Sequence, residues 1–445
     1  MDRKKIHFKM RSRVFFILFF SKSLRGVTSS MDTYTLNRET ALKLDGSDPL
    51  KNYRKLFYIP KDTIYLDGNS LGLLSKPAED SLQKTISEWK NLGINGWFEG
   101  NPDWWHYGEY FGELMAPLVG AKANEVVATG TTTLNLHTLV SAFYKPNKIK
   151  NKILADELNF PTDIYALESQ IKLKGLSPDA HLILVPSPDG RMLDEQQIID
   201  YMNPDIALVV LPSVLYRSGQ LLDIERLTQA AHTRGIPIGF DCSHSVGVIP
   251  HKLHEWEVDF AIWCSYKYLN SGPGGTAFLY IHEKHFDMQP GLTGWFGYIK
   301  NKQFDMLLNF EHAKHAGGWQ ISSSNILCSA SLEGSLKMFH EVGIEKIRDK
   351  SMKLTDYLIY LADEILGPKG FSVGTPRVPQ HRSGHVALEH EKAAEITKEL
   401  MKRNVITDFR KPNIIRIAPI ALYNTYNEVW QTIKIIEAIV NEYTD

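Results

Sequence analysis

The sequence predicts an α/β fold, with a mainly parallel seven-stranded sheet followed by a smaller C-terminal α+β unit. Three observations carry this prediction. From about Ile64 onward, short apolar runs alternate with amphipathic stretches. Runs that are apolar throughout belong to strands buried on both faces, as in parallel sheets covered by helices. Beyond Trp295 the texture changes to one long helical region and then short strand and helix units. Polar residues also gather directly after the strands, where ligands of such sheets bind.

The expected strands are Glu125–Thr129, Lys152–Asp156, Leu182–Pro186, Ile206–Leu211, Pro237–Phe240, Phe260–Cys264 and Thr276–Ile281. Helical patterns lie between them at Thr132–Phe143, Thr162–Lys174, Asp194–Met202 and Asp223–Thr233. The later helical region runs from about Ser329 to Leu366, with Gly343 as an interruption and Gly367-Pro368-Lys369-Gly370 as its end. Gly384–Glu389, a helix over Lys392–Arg403, Ile414–Ile417 and a last helix over Tyr426–Glu442 complete the chain. The expected division is a leader or disordered tail over 1–30, an arm over 31–63, a large domain over 64–318 and a small one over 319–445.

At 445 residues, 43% hydrophobic and 23% charged, the chain is long enough for two domains with a large core. A formal net charge of −1 gives no electrostatic case for nucleic acid. Cys242, Cys264 and Cys328 lack metal-ligand spacing, so no metal site is expected. Their odd, sparse distribution fits a reducing compartment and a cytoplasmic location. Basic residues through Arg13 precede the apolar run Val14–Phe20, which is far short of the ~20 residues that span a bilayer. It reaches only the lower limit of a signal-peptide core, and membrane attachment is not expected.

The strand Phe260–Cys264 delivers Lys267 into Ser265-Tyr266-Lys267-Tyr268-Leu269-Asn270-Ser271-Gly272-Pro273-Gly274-Gly275. Burying a lysine favours the neutral amine, a nucleophile toward carbonyls. Phe240-Asp241-Cys242-Ser243-His244 ends the preceding strand. A carboxylate and a nucleophilic lysine on neighbouring strand ends suggest a pyridoxal phosphate (PLP) site. Asp241 would face the pyridinium nitrogen and Lys267 would form the Schiff base. The alternative for Asp241 and His244 is a cap and a satisfied loop histidine. The glycines after Lys267 let the backbone approach a cofactor, or form a plain surface turn.

Gly130-Thr131-Thr132-Thr133 opens a helix after the first strand. Free N–H groups and the positive dipole end there make Thr132 and Thr133 candidates for a phosphate cradle, with an ordinary threonine N-cap as the alternative. Asn159-Phe160-Pro161-Thr162-Asp163 repeats the arrangement. Phe160 can stack on a planar ring, or it is core while Thr162 or Asp163 caps the helix. Tyr266 has a phenol suited to a phosphate, and Trp295 is either a site residue or an interface anchor.

Together with Tyr65-Leu66-Asp67-Gly68-Asn69-Ser70-Leu71-Gly72, Gly294-Trp295-Phe296-Gly297 and Arg416-Ile417-Ala418-Pro419, these motifs resemble the kynureninase family from about Leu44 to the C-terminus. The resemblance implies a fold-type I PLP enzyme, a homodimer with shared active sites, hydrolysing L-kynurenine to anthranilate and L-alanine in tryptophan catabolism and NAD biosynthesis. It makes Lys267 the Schiff-base lysine and proton carrier. It places Thr132, Thr133, Tyr266 and Trp295 around the phosphate, with Trp295 reaching across the dimer. Phe160, with Pro161, Thr162 and Asp163, would lie on the ring, and Asp241 and His244 would sit beside it. Arg416 would clamp the substrate carboxylate. Its alternative is a pairing with Asp408 or Glu428, and Arg410 is the competing clamp. Two departures bear on the transfer. Gln320-Ile321-Ser322-Ser323-Ser324-Asn325 replaces a small-polar-Pro-Pro pattern, which weakens Ser323 as a site contact. Trp97 stands where animal members tend to carry His, which favours kynurenine over its 3-hydroxy form. The rival readings are a cysteine desulfurase-like PLP lyase, for which Cys328 is the candidate cysteine, and a catalytically silent PLP-fold binding protein.

Overall fold

The computed structural model describes residues 34–443, so the leader expected over 1–30 lies outside the described residues. The large sheet contains β1 (Val126–Ala128), β2 (Lys152–Asp156), β3 (Leu182–Val185), β4 (Ile206–Pro212), β5 (Ile238–Asp241), β6 (Phe260–Trp263) and β7 (Phe278–Ile281). Its spatial order is β1-β7-β6-β5-β4-β2-β3. The β2–β6 block is parallel, and β7 runs antiparallel to both β6 and β1. The mainly parallel seven-stranded expectation therefore holds, with the antiparallel strand as the detail that apolar runs do not encode.

Complete burial of β4 and β6 explains their unbroken apolar runs. In β4, Val209 and Leu211 enter a core on one face while Leu208 and Val210 enter a core on the other. In β6, Ala261 and Trp263 alternate with Phe260 and Ile262 in the same way. At about 25 cal/mol per Å² of apolar area removed from water, such double-sided burial dominates the sheet's stability. The covering helices include Thr132–Phe143, as expected, and Pro161–Leu173.

A second sheet contains β8 (Ser372–Val373), β9 (Val386–Glu389), β10 (Asp408–Arg410) and β11 (Ile414–Ile417), in the antiparallel order β10-β11-β9-β8. The long helical region divides where expected. Ser331–Val342 ends at Gly343, whose φ of 84° is open to glycine, and Ile344–Leu361 follows. Leu354, Leu358, Val386, Ile415, Ile417 and Ile433 share the core beneath this second sheet.

The N-terminal segment belongs structurally to that second unit. In the helix Arg38–Ser47, the Asp45 carboxylate accepts the Tyr426 and Asn427 N–H groups at 2.7 and 3.0 Å. Ile64–Tyr65 then pairs in parallel with Val405–Ile406. This pairing brings the loop at 67–72 beside the carboxyl ends of the large sheet. No helix among the described residues is long and apolar enough to cross a membrane.

Candidate active site

Lys267 lies four residues beyond β6, next to the loop that follows β5. Its Nζ is 3.0 Å from His244 Nε2, while His244 Nδ1 is buried without a partner. Burial, reinforced by the Lys267 and Arg416 cations, holds His244 well below the usual histidine range. It is therefore a neutral imidazole, able to accept a hydrogen bond from the amine. The satisfied-histidine alternative does not describe this arrangement. Asp241 does shape its turn by accepting the Ser243 N–H at 2.7 Å.

The loop after Ile64–Tyr65 braces the lysine from behind. Gly72 donates its N–H to the Tyr266 carbonyl at 2.7 Å. A Cβ at Gly72 would lie 2.4 Å from the Lys267 carbonyl oxygen and 2.3 Å from Asn270 Oδ1, so only glycine permits this approach. Beyond Lys267, Gly272 and Gly274 have φ of 84° and 73° with open space beside them.

Asp163 is buried in the first turn of the helix Pro161–Leu173, and neither carboxylate oxygen has a donor. Burial and then the neighbouring Asp241 carboxylate raise it well above the usual carboxyl range. Thr162 Oγ1 lies 3.3 Å from Thr133 Oγ1, linking two helix starts. Neither helix receives a side-chain cap, and Gly130 before the first has a φ of 57°. The first-turn N–H groups at Thr132 and Thr133 thus have the exposed dipole end that suits a phosphate. The capping alternatives for these threonines and Asp163 are not realised. Phe160 is 42% exposed, packs edge-on to Tyr216 at 5.2 Å, and is not a core residue.

These features fit PLP without rearrangement. A buried Asp163 carboxyl without a donor, beside Asp241 which accepts one backbone N–H from Ser243, leaves acceptor sites for a cationic N–H such as a pyridinium nitrogen. An uncapped helix start needs an anion, and an exposed aromatic ring offers a face for a planar group. Tyr266 is adjacent to the lysine and half-buried.

Asp156, at the end of β2, is also buried and is pushed up to about 7, chiefly by burial. Its unfolded value is about 3.9. A raised folded pKa means that the native state binds more protons, so the stability contribution of this group falls as pH rises from about 4 to 7. Asp156→Asn should therefore gain stability relative to wild type across that window, measured as a widening melting-temperature gap in the cofactor-free protein. A gap independent of pH would refute this assignment.

Arg416 on β11 is 1% exposed and forms an ion pair with Asp408, which also pairs with Arg410. It also donates to the Tyr216 carbonyl and to Ser70 Oγ, each at 2.8 Å. The Asn69 amide, turned with its oxygen inward, accepts from Nε at 3.1 Å. The expected pairing alternative with Asp408 is present. Glu428 instead holds Arg54 at 2.7 Å.

Trp97, Trp295 and Ser323 come together elsewhere. They line an apolar cavity of about 470 Å³ with Ile94, Phe98, Trp105, Phe296, Phe304, Ile321 and Ser322. Trp97 contacts Trp104, Trp105 and Phe296 with ring centroids 6.1–6.2 Å apart. Gln320 is fixed by Glu109 at 2.9 Å, which aims the following serines at this cavity. None of the lining residues belongs to the Lys267 cluster. Sequence reasoning missed Tyr216 and His385. Tyr216 follows β4 and was accessible by the same strand-end rule as Asp241, whereas nothing local marks His385.

Residues 347–436 match the Kynureninase C-terminal domain family. The Geobacillus thermodenitrificans kynureninase is 56% identical over 404 residues, covering 91% of this chain and 94% of that protein. The chain belongs to the kynureninase family. A second kynureninase, from Shouchella clausii, is 55% identical over 91% of this chain and 95% of its own length. Among solved structures, the apo cysteine desulfurase of Thermococcus onnurineus has a TM-score of 0.76 at 20% identity, covering 88% of this chain and 98% of that one. A C-DES variant with glycine linked to its PLP cofactor has a TM-score of 0.74 at 15% identity, covering 86% and 98%. Such distant likenesses establish the fold-type I architecture that kynureninases share with desulfurases. The one cysteine a desulfurase reading needs, Cys328, is exposed on the short helix Ile326–Ser329.

Proposed function

We propose that this chain hydrolyses L-kynurenine to anthranilate and L-alanine with PLP as cofactor, as a step of tryptophan catabolism. The observation that carries this reading is the Lys267 amine beside Asp241 and a buried, donor-less Asp163, in a chain of this family. When bound, the cofactor supplies an electron sink conjugated to the substrate α-carbon. Asp241, with Asp163 as its neighbour, would hold the proton on the ring nitrogen that keeps the sink effective. Thr132, Thr133, Tyr266 and Trp295 would hold the phosphate, and Phe160 would offer its ring face to the planar group. Lys267 carries the proton to and from the α-carbon, with His244 fixing the amine at 3.0 Å. Arg416 receives the substrate carboxylate. Water adds to the aryl ketone, the Cβ–Cγ bond breaks, anthranilate leaves first and alanine second. Incubating the purified protein with PLP and L-kynurenine should produce anthranilate fluorescence, and its absence would overturn the reading.

The active unit in this reading is a cytoplasmic homodimer whose product serves NAD biosynthesis. In support of pairing, the aromatic cavity and the Lys267 crevice share no residue, and Phe304, Met306, Leu307 and Leu308 beside the cavity are exposed. A second copy would bring its cavity to the first copy's lysine and cover this apolar surface.

The cavity is the aryl site, and Ser322 and Ser323 are its hydroxyl-bearing side chains. With Trp97 presenting an apolar ring, kcat/KM for kynurenine should exceed that for 3-hydroxykynurenine by about tenfold or more. Trp97→His should narrow the ratio. A wild-type preference for the 3-hydroxy substrate would refute the role of Trp97.

A further inference from the structure

His385 immediately precedes β9 and is fully buried, yet among the described residues neither ring nitrogen has a partner in good hydrogen-bond geometry, the Tyr216 backbone being its nearest hydrogen-bonding neighbour. A buried imidazole left with an idle donor and acceptor costs desolvation energy unless a ligand completes it. Its surroundings indicate which ligand. Ala387 is paired with Arg416 across the sheet, and His385 sits two residues before it, just ahead of β9, close enough for the Arg416 cation to act on its ring. The Tyr216 backbone lies against the His385 ring, and the Tyr216 carbonyl also accepts from Arg416 Nη1. On its other side the ring lies 5.8 Å from His244, which touches Lys267. His385 thus occupies the space between the reacting lysine and the substrate clamp. Gly219, with a φ of 77°, is kept small there, since a Cβ would lie 2.9 Å from the His385 carbonyl oxygen and 3.2 Å from its Nε2.

Arg416 is short of donors for the task assigned to it. Its Nε serves Asn69, one Nη2 hydrogen serves Ser70 and the other Asp408, and one Nη1 hydrogen serves Tyr216. A single Nη1 hydrogen is left, and a carboxylate has two oxygens to satisfy. A neutral imidazole beside that hydrogen supplies the second donor. It does so without adding another cation beside the buried Arg416 and the nearby Lys267.

We propose that His385 is a substrate-binding residue whose ring N–H, together with the remaining Nη1 hydrogen of Arg416, grips the α-carboxylate of the amino-acid substrate and of the alanine product. This rests on the site reading above, with Arg416 as the clamp. The test uses the PLP-loaded enzyme and measures binding of L-alanine and of L-alaninamide from the change in its visible absorbance. His385→Phe should weaken L-alanine by about 10- to 100-fold while changing L-alaninamide little, because only the carboxylate needs the charge-assisted bond. His385→Gln, which restores an N–H donor, should recover part of the loss. The proposal is overturned if His385→Phe weakens both ligands equally, or weakens neither while Arg416→Lys weakens L-alanine. If Arg416→Lys also leaves L-alanine unchanged, the carboxylate binds elsewhere, and the clamp assignment falls together with the proposal.

Discussion

Lys267→Ala should lose kynurenine turnover by at least about 10³-fold, the scale expected when a positioned proton carrier is removed. The loss should appear in kcat, since the amine acts in the reaction and not in holding the ground-state substrate. The fold should survive, because among the described residues the lysine's side-chain hydrogen bond is with His244 and its loop is braced through backbone atoms, by Gly72 against Tyr266 and Asn270 against Lys267. An unchanged melting temperature with near-wild-type anthranilate production would sink the central assignment. The same variant tests whether sites are shared between copies. Trp295→Ala removes the aromatic contribution but keeps the lysine. If Trp295 serves the partner's lysine, an equal mixture of the two inactive variants contains hybrids with one intact site, and activity returns to roughly a quarter of wild type. A mixture no more active than its components would show each copy to be self-sufficient.

The sheet was legible because its strands are buried on both faces, and burial leaves a direct trace in composition. The run at 206–211 is apolar in every position for that reason. The lysine and Asp241 were legible for a second reason: strand carboxyl ends are where α/β sheets expose chemistry, so polar residues there stand out against apolar runs. What could not be read were properties of pairing. The antiparallel direction of β7 depends on which strands flank it, and apolarity carries no direction. Attachment of the helix Arg38–Ser47 to the second unit rests on Asp45 meeting a helix start 381 residues away, a long-range contact that no local pattern announces. The site followed the same division. Phe160, Thr133 and Thr162 were visible one motif at a time, whereas the donor-less state of Asp163 and the sharing of Asp408 between two arginines emerge only once distant strands come together.

Arg416→Lys should raise KM for L-kynurenine and lower kcat/KM by about 10²-fold, with kcat less affected, the pattern of a lost contact that binds substrate and transition state alike. Lysine retains the charge but not the planar fork that serves Tyr216, Ser70 and Asp408 together while leaving a hydrogen for substrate. Arg410→Lys discriminates the rival clamp. Arg410 is a third exposed and engages Asp408 at 2.6 Å, so if it only shares that carboxylate its replacement should leave KM near wild type. The reverse pattern, with KM rising for Arg410→Lys alone, would transfer the clamp to Arg410. Stability provides the independent check. Asp408→Ala strips the buried Arg416 guanidinium of its closest counter-charge, and breaking one side of a buried pair costs about 3–5 kcal/mol. Unfolding of that variant should shift to markedly lower denaturant, and L-alanine, whose carboxylate can stand in for the lost counter-charge, should restore part of the shift. If L-alanine stabilises wild type and Asp408→Ala equally, Arg416 does not meet the carboxylate, and its buried charge serves only to tie β10 and β11 to the loop at 67–72.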